Sequence, residues 1–311
     1  MKSGVKLGTR GSQLALWQAR LVKSMLETAH PGIPVEIVVI ETDGDRVQSV
    51  PLSSFGGFGV FTKAIQEALL ARTVDIAVHS LKDLPTIPVE GLQLAAVTPR
   101  GPLGDALVSQ KWSRFDDLPP QSTVGSSSLR RKAQLLLRRP DLNVVDLRGN
   151  VETRLRKLAE QQYDAIVLAE AGLVRLGLAQ HITEILDPTW MLPAVGQGAV
   201  AIECRTEDEN TRELMEKINH HPTWQCVQAE RHFLSTLGGG CLVPVGCLSR
   251  YEENTLSLTG AVFSTDGKQR IGDTVTGMMD KSVDLGNELA RLLVDRGAKQ
   301  LLSGMATYPK G

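Results

Sequence analysis

Thr123-Val124-Gly125-Ser126-Ser127-Ser128-Leu129-Arg130-Arg131 reads as the end of a strand, a turn of small hydroxyl residues and the opening of a helix. A strand that turns directly into a helix is the unit of layered α/β domains, so this stretch decides the fold class. It also suggests a chemistry. Unpaired backbone N–H groups and the positive end of the helix dipole make such a turn an anion site. Two adjacent arginines add charge-assisted, bidentate grip. Arg148-Gly149-Asn150 repeats the design, with Asn150 as the helix cap and Arg154 one turn in. Arg10 and Ser12 stand in the same relation to the first strand. Nine of the 28 residues from Arg130 to Lys157 are basic against three acidic. Arg138, Arg139, Arg156 and Lys157 read as solvated helix faces, whereas Arg10, Arg130, Arg131, Arg148 and Arg154 sit at strand ends and read as ligand-facing.

Outward from this stretch the alternation continues. Before it come strand-like Val5–Leu7 and Val35–Ile40, helical Leu14–Leu26 and Phe61–Leu70, and the apolar run Asp75–Val78, which predict a layered domain with a largely parallel sheet. The turn-rich Thr98-Pro99-Arg100-Gly101-Pro102-Leu103-Gly104 reads as a hinge crossing. A second series follows, with strands near Ala106–Val108, Val124, Val144–Leu147 and Ala165–Leu168. Val195–Cys204 has too little chain around it to found a new sheet and is expected to return to the first domain, making a second crossing. From Pro222 a helix carries Cys226, Ala229, Phe233 and Leu237 at helical spacing and stops at Gly238. Strand-like runs Leu256–Phe263 and Arg270–Thr276, joined by an Asp266-Gly267 turn, and a last helix Leu285–Arg296 complete a small domain. The expected domains are 1–98 with 195–217, 104–192, and 222–311.

A chain of 311 residues, 42% hydrophobic and 22% charged, has material for two or three cores. Its net charge of -1 and 4% aromatic content argue against nucleic-acid binding. No stretch approaches the length of a membrane span, and the first 20 residues lack a signal peptide's apolar core, so the expected location is cytoplasmic. The cysteines at 204, 226, 241 and 247 form no Cys-x-x-Cys pair, which predicts free thiols and no metal.

Asp75-Ile-Ala-Val-His-Ser-Leu-Lys-Asp-Leu-Pro85 reads as a buried strand that delivers His79, Ser80, Lys82 and Asp83 to its C-terminal end. His79 and Ser80 are neighbours on a strand and point to opposite faces, so they cannot pair as base and nucleophile, and His79 reads as structural. Asp83 beside Lys82 stays ionised and can stabilise positive charge developing on a substrate. Cys204, Cys226 and Cys247 lie on apolar periodicities and read as buried. Cys241 does not. It follows Gly238-Gly239-Gly240, where bare backbone admits a large group, and it reads as the attachment point of a covalent cofactor.

Together these segments resemble the porphobilinogen deaminases, also called hydroxymethylbilane synthases. The likeness runs nearly end to end, through Gly8–Ala15, Asp75–Pro85, Val124–Arg131, Leu147–Asn150, Leu192–Gly198 and Gly239–Gly246. It implies two periplasmic-binding-protein-like α/β domains joined by a two-crossing hinge, plus a small α+β C-terminal domain. It further implies a dipyrromethane cofactor in thioether linkage to Cys241, and polymerisation of four porphobilinogen molecules into hydroxymethylbilane. By the same resemblance Lys82, Asp83, Ser128, Arg130 and Arg131 hold the cofactor. Arg10, Ser12, Arg148, Arg154 and Arg175 serve incoming substrate, and Asp83 is catalytic. One departure is the loop Leu52–Phe61, where many bacterial members carry lysines at the positions of Ser54 and Phe58, and this predicts altered substrate capture or product pacing. Ala64, often glutamate in relatives, is a smaller difference. A solute-binding protein would suit two hinged α/β domains equally but gives no role to Cys241 or Asp83. A transcriptional effector-binding module would need a basic helix-turn-helix, which the sequence does not offer. The expected partner is porphobilinogen alone, with no nucleic acid or membrane, and the expected state is a monomer.

Overall fold

The computed structural model describes residues 4–42, 62–240 and 243–303. The chain makes two compact units, Met1–Gly101 with Gly198–Trp224, and Pro102–Gln197 with Gln225–Gly311.

In chain order, the first passage gives strand β1 (Val5–Thr9), helix α1 (Gln13–Ala29), β2 (Val35–Val39), α2 (Lys63–Leu70), β3 (Ile76–Ser80) and β4 (Leu92–Val97). The second passage gives β5 (Asp105–Ser109), β6 (Thr123–Gly125), α3 (Leu129–Arg138), β7 (Asn143–Val145), α4 (Val151–Ala159), β8 (Ala165–Ala169), α5 (Glu170–Arg175) and β9 (Glu184–Leu186). The chain then returns as β10 (Val200–Arg205) and α6 (Glu209–Glu216). It ends with α7 (His221–Thr236), β11 (Val245–Glu252), β12 (Thr255–Phe263), β13 (Arg270–Met278), α8 (Ser282–Asp295) and α9 (Ala298–Leu302).

In the first unit α1 buries Ala15, Ala19, Val22 and Leu26, a helical stripe. That stripe joins Val5, Leu7, Val78, Ile202 and Met215 in one core on one face of the sheet. On the other face Ile65 and Leu69 of α2 pack with Val74, Ala77 and Leu92. The sheet order is β2-β1-β3-β10-β4. β1 runs parallel to β2 and β3, and β10 lies antiparallel between β3 and β4. The second unit holds a sheet of order β7-β6-β8-β5-β9. β6 is parallel to β7 and β8, and β5 is antiparallel to β8 and β9.

The expectation of a largely parallel arrangement therefore holds, since four of the five strands in each sheet run in one direction. β5 and β10 are the exceptions because each enters directly from a linking segment.

The C-terminal sheet is antiparallel, β11-β12-β13. Its β11 was not expected, since Ser249, Arg250 and Glu252 interrupt the apolar run as befits an edge strand. The Asp266-Gly267 turn joins β12 to β13 as predicted, with Gly267 at φ 71°. Cys204, Cys226 and Cys247 are all buried. Ala133 of α3 shares an apolar cluster with Leu192, Leu248, Ala261 and Phe263, so the third sheet packs on the second α/β layer within the same unit.

Candidate active site

In the first unit, the C-terminal ends of β1 and β3 border an open pocket lined by Arg10, Ser12, Gln18, Thr62, His79, Ser80 and Asp83 among others. Ser12 caps α1, its Oγ accepting the Ala15 N–H at 3.3 Å, so the positive end of a 17-residue helix faces the pocket beside Arg10. Asp83 arrives on a single 3₁₀ turn, Leu81–Asp83, directly after β3. Buried Leu81 and Leu84 anchor that turn, and the Leu81 N–H donates to Ala199 O at 3.1 Å. Lys82 and Asp83 are both half-buried, and only Asp83 of the two lines the pocket.

His79 and Ser80 diverge as expected of strand neighbours. Ser80 Oγ accepts from Gln18 Nε2 of α1 at 2.8 Å. Buried His79 places Nε2 3.0 Å from Glu203 Oε2, on the side where Gln66 Nε2 of α2 donates to both Glu203 oxygens at 3.1 Å. His79 and Ser80 do not form a base–nucleophile couple.

In the second unit, two helix starts stand side by side on β6 and β7. Ser127 Oγ donates to Leu147 O at 2.8 Å and accepts the Leu147 N–H at 3.0 Å, which ties the two turns together. Ser128 caps α3, accepting from the Arg131 N–H at 3.4 Å, and Asn150 caps α4, accepting from the Thr153 N–H at 2.8 Å. Between β7 and α4, Arg148 is half-buried and its Nη1 is buried with no hydrogen-bond partner among the described residues. Gly149 adopts φ 116° where a Cβ would strike Thr153, so only glycine fits. Arg154 Nε donates to Gly149 O at 2.8 Å, and burial pulls half-buried Arg175 below the usual arginine range.

Arg130 and Arg131 are placed differently from the other strand-end arginines. Both are almost wholly buried and clasp Asp105, which has no exposed surface, at 2.6 and 2.7 Å. Of the residues read as solvated, Arg138 pairs with Asp116, Arg139 with Asp141 and Arg156 with Glu160, whereas Lys157 donates to Arg148 O at 3.1 Å. Asp105, Gln197 and Gln18 were not foreseen. The one signal for Asp105 was an acid opening an apolar strand, where acids are scarce. Cys241, Ser54 and Phe58 lie outside the described residues.

The pocket thus offers a cationic wall to carboxylates and a carboxylate to an N–H or a developing cation. The second unit offers arginines at two helix starts to further carboxylates. Among the described residues no His, Cys, Asp and Glu cluster could hold a metal, and no helix is long and apolar enough to cross a membrane. Residues 5–213 match the family model described as porphobilinogen deaminase, dipyromethane cofactor binding domain, and residues 224–295 match the porphobilinogen deaminase C-terminal domain.

The chain belongs to the porphobilinogen deaminase family.

The porphobilinogen deaminase of Trichlorobacter lovleyi is 48% identical over 298 residues, which is 96% of this chain and 95% of that one. That of Syntrophotalea carbinolica is 47% identical over 307 residues, 99% of this chain and 98% of that one. Among solved structures, the methionine-binding protein MetQ has 16% identity and a TM-score of 0.45, covering 74% of this chain and 90% of that one. As a porphobilinogen deaminase family member the chain is a transferase of tetrapyrrole biosynthesis, and residues 5–213 form its dipyrromethane-binding region.

Proposed function

We propose that this chain deaminates porphobilinogen and joins four molecules head to tail into hydroxymethylbilane, on a dipyrromethane primer held by a thioether to Cys241. The observation that carries the reading is the pocket in which Asp83 shares a wall with Arg10 and the N-terminus of α1. Porphobilinogen bears two carboxylates, a pyrrole N–H and an aminomethyl group, and the pocket matches both signs of charge.

The donor set fits the cofactor as well. Its acetates and propionates need cations, and Arg148 presents a buried Nη1 that lacks a partner among the described residues, beside two capped helix starts. Lys82, Asp83, Ser128, Arg130 and Arg131 are the residues assigned to hold it. When bound, it supplies a free α-carbon to which incoming units add.

The chain's own residues do the rest. Arg10 and the α1 N-terminus bind a substrate carboxylate and orient the ring, with Ser12, Arg148, Arg154 and Arg175 assigned to the same task. Asp83 accepts the pyrrole N–H and stabilises the positive charge that grows on that nitrogen as ammonia departs. Its short anchored turn keeps the carboxylate in place, so little reorganisation is needed. We also take the three sheets as three domains, 1–98 with 195–217, 104–192 and 222–311, in a monomeric, cytoplasmic chain.

Intact mass spectrometry of the chain from cells that make porphobilinogen tests the reading. We expect an adduct of two linked pyrroles on the native chain and none on Cys241→Ser. A folded native chain without the adduct would refute it.

A further inference from the structure

Asp105 opens β5 with none of its surface exposed, a rare place for a carboxylate. Its Oδ1 accepts from Arg131 Nε at 3.0 Å, Arg131 Nη2 at 2.7 Å and Gln197 Nε2 at 3.1 Å, and its Oδ2 accepts from Arg130 Nη1 at 2.6 Å. Arg130 Nη1 also donates to Leu192 O at 2.6 Å, and Arg131 Nη1 to Val167 O at 3.0 Å. Two guanidiniums against one carboxylate leave an excess positive charge on the first turn of α3, where the helix dipole adds more of the same sign. Arg130 Nε is buried with no hydrogen-bond partner among the described residues. A buried ion pair serving stability alone is expected to balance its charge and satisfy its donors. This cluster does neither.

We propose that Asp105 is a positioning residue for cofactor acquisition. It holds Arg130 and Arg131 in one arrangement before an anionic ligand arrives, and Gln197 fastens that arrangement to the Leu192–Gln197 segment. Without the carboxylate the two guanidiniums repel each other and must be ordered when the ligand binds. With it, that ordering is already complete. The inference rests on the assignment of Arg130 and Arg131 to the cofactor.

The test compares native, Asp105→Asn, Asp105→Glu and Gln197→Leu chains, each produced at full length in cells that make porphobilinogen. Folded protein is isolated by size and checked by circular dichroism, and the fraction of folded molecules carrying the two-pyrrole adduct is read by intact mass. We expect that fraction to fall about tenfold in Asp105→Asn, the size of a lost charge-assisted contact, and to recover in part in Asp105→Glu. Loss of stability alone would lower the yield of folded chain without changing the loaded fraction within it. A fully loaded Asp105→Asn therefore overturns the inference. If that variant does not fold, Gln197→Leu decides. Chains made in cells lacking porphobilinogen and then given it should acquire the adduct several-fold more slowly than native, and an unchanged rate overturns the inference. A native chain without any adduct removes the cofactor assignment itself, a failure separable from the first.

Discussion

Asp83 and Asp105 carry the same functional group into opposite surroundings. Asp83 is half-buried at the wall of an open pocket, and Asp105 is sealed beneath two arginines. We expect Asp83→Asn to fold normally and to lose about 10²-fold or more in kcat, the scale of removing one charge-stabilising group, as read by single-turnover product formation. Near-native turnover would show that the nitrogen charge is stabilised elsewhere. For Asp105, burial alone would push the carboxyl up, but the charges and hydrogen bonds of Arg130 and Arg131 together hold it well below the usual carboxylate range. The folded value lies below the unfolded one. Its stabilisation is thus fully present above about pH 4 and is lost as pH falls below that. Urea unfolding at pH 7 should show Asp105→Asn less stable by about 3–5 kcal/mol, the cost of leaving buried charge uncompensated. The gap to native should shrink as pH drops below about 4. Arg10, Ser12 and Asp83 were legible because strand-end position and residue type coincide within a few residues. Asp105 was not, because its partners are 25 and 92 residues away and no local pattern joins them.

At the scale of elements, the start of α4 was readable to the residue, whereas the last long helix, expected from Leu285, begins at Ser282. Asn150 caps α4 as its place before an amphipathic run required, and Asn150→Ala should cost about 1 kcal/mol, seen as a lowered thermal midpoint. Because Arg154 Nε is anchored on Gly149 O at the same turn, the variant should also raise KM more than it lowers kcat. The Asp266-Gly267 turn was equally plain from its dipeptide, but its second duty was not. A Cβ on Gly267 would lie 2.6 Å from Leu136 Cβ and 2.8 Å from Ala133 O, so this hairpin tip is pressed against α3. Gly267→Ala combines a left-handed backbone with overpacking and should cost about 2 kcal/mol in a denaturant midpoint. A loss near zero would mean the tip can lift from α3. Edge strand β11 escaped notice for the reason that makes it an edge: its outer half is polar.

For the molecule as a whole, the first and second α/β series were visible as alternation, and the insertion of β10 into the first sheet followed from its isolation in sequence. The antiparallel sense of β5 and β10 was not visible, because pairing direction depends on where a strand enters and not on what it contains. A covalently loaded chain should also be the more stable one, since a ligand bound only to the native state stabilises it. The native protein is expected to melt above Cys241→Ser in a calorimetric scan, and equal midpoints would mean that the adduct makes no net contacts.

β10 pairs with Ser80 through Ile76 on one side and with Val97 through Leu92 on the other. A ribosome therefore releases β3 and β4 roughly a hundred residues before the strand that must come between them. At ordinary translation speeds this interval is about 5–20 s. Throughout it the nascent chain holds apolar Ile76–Val78 and Ala96–Val97 with their hydrogen-bonding edges unmatched, the condition under which strands find wrong partners. The yield of folded enzyme should accordingly depend on elongation rate across the second α/β series.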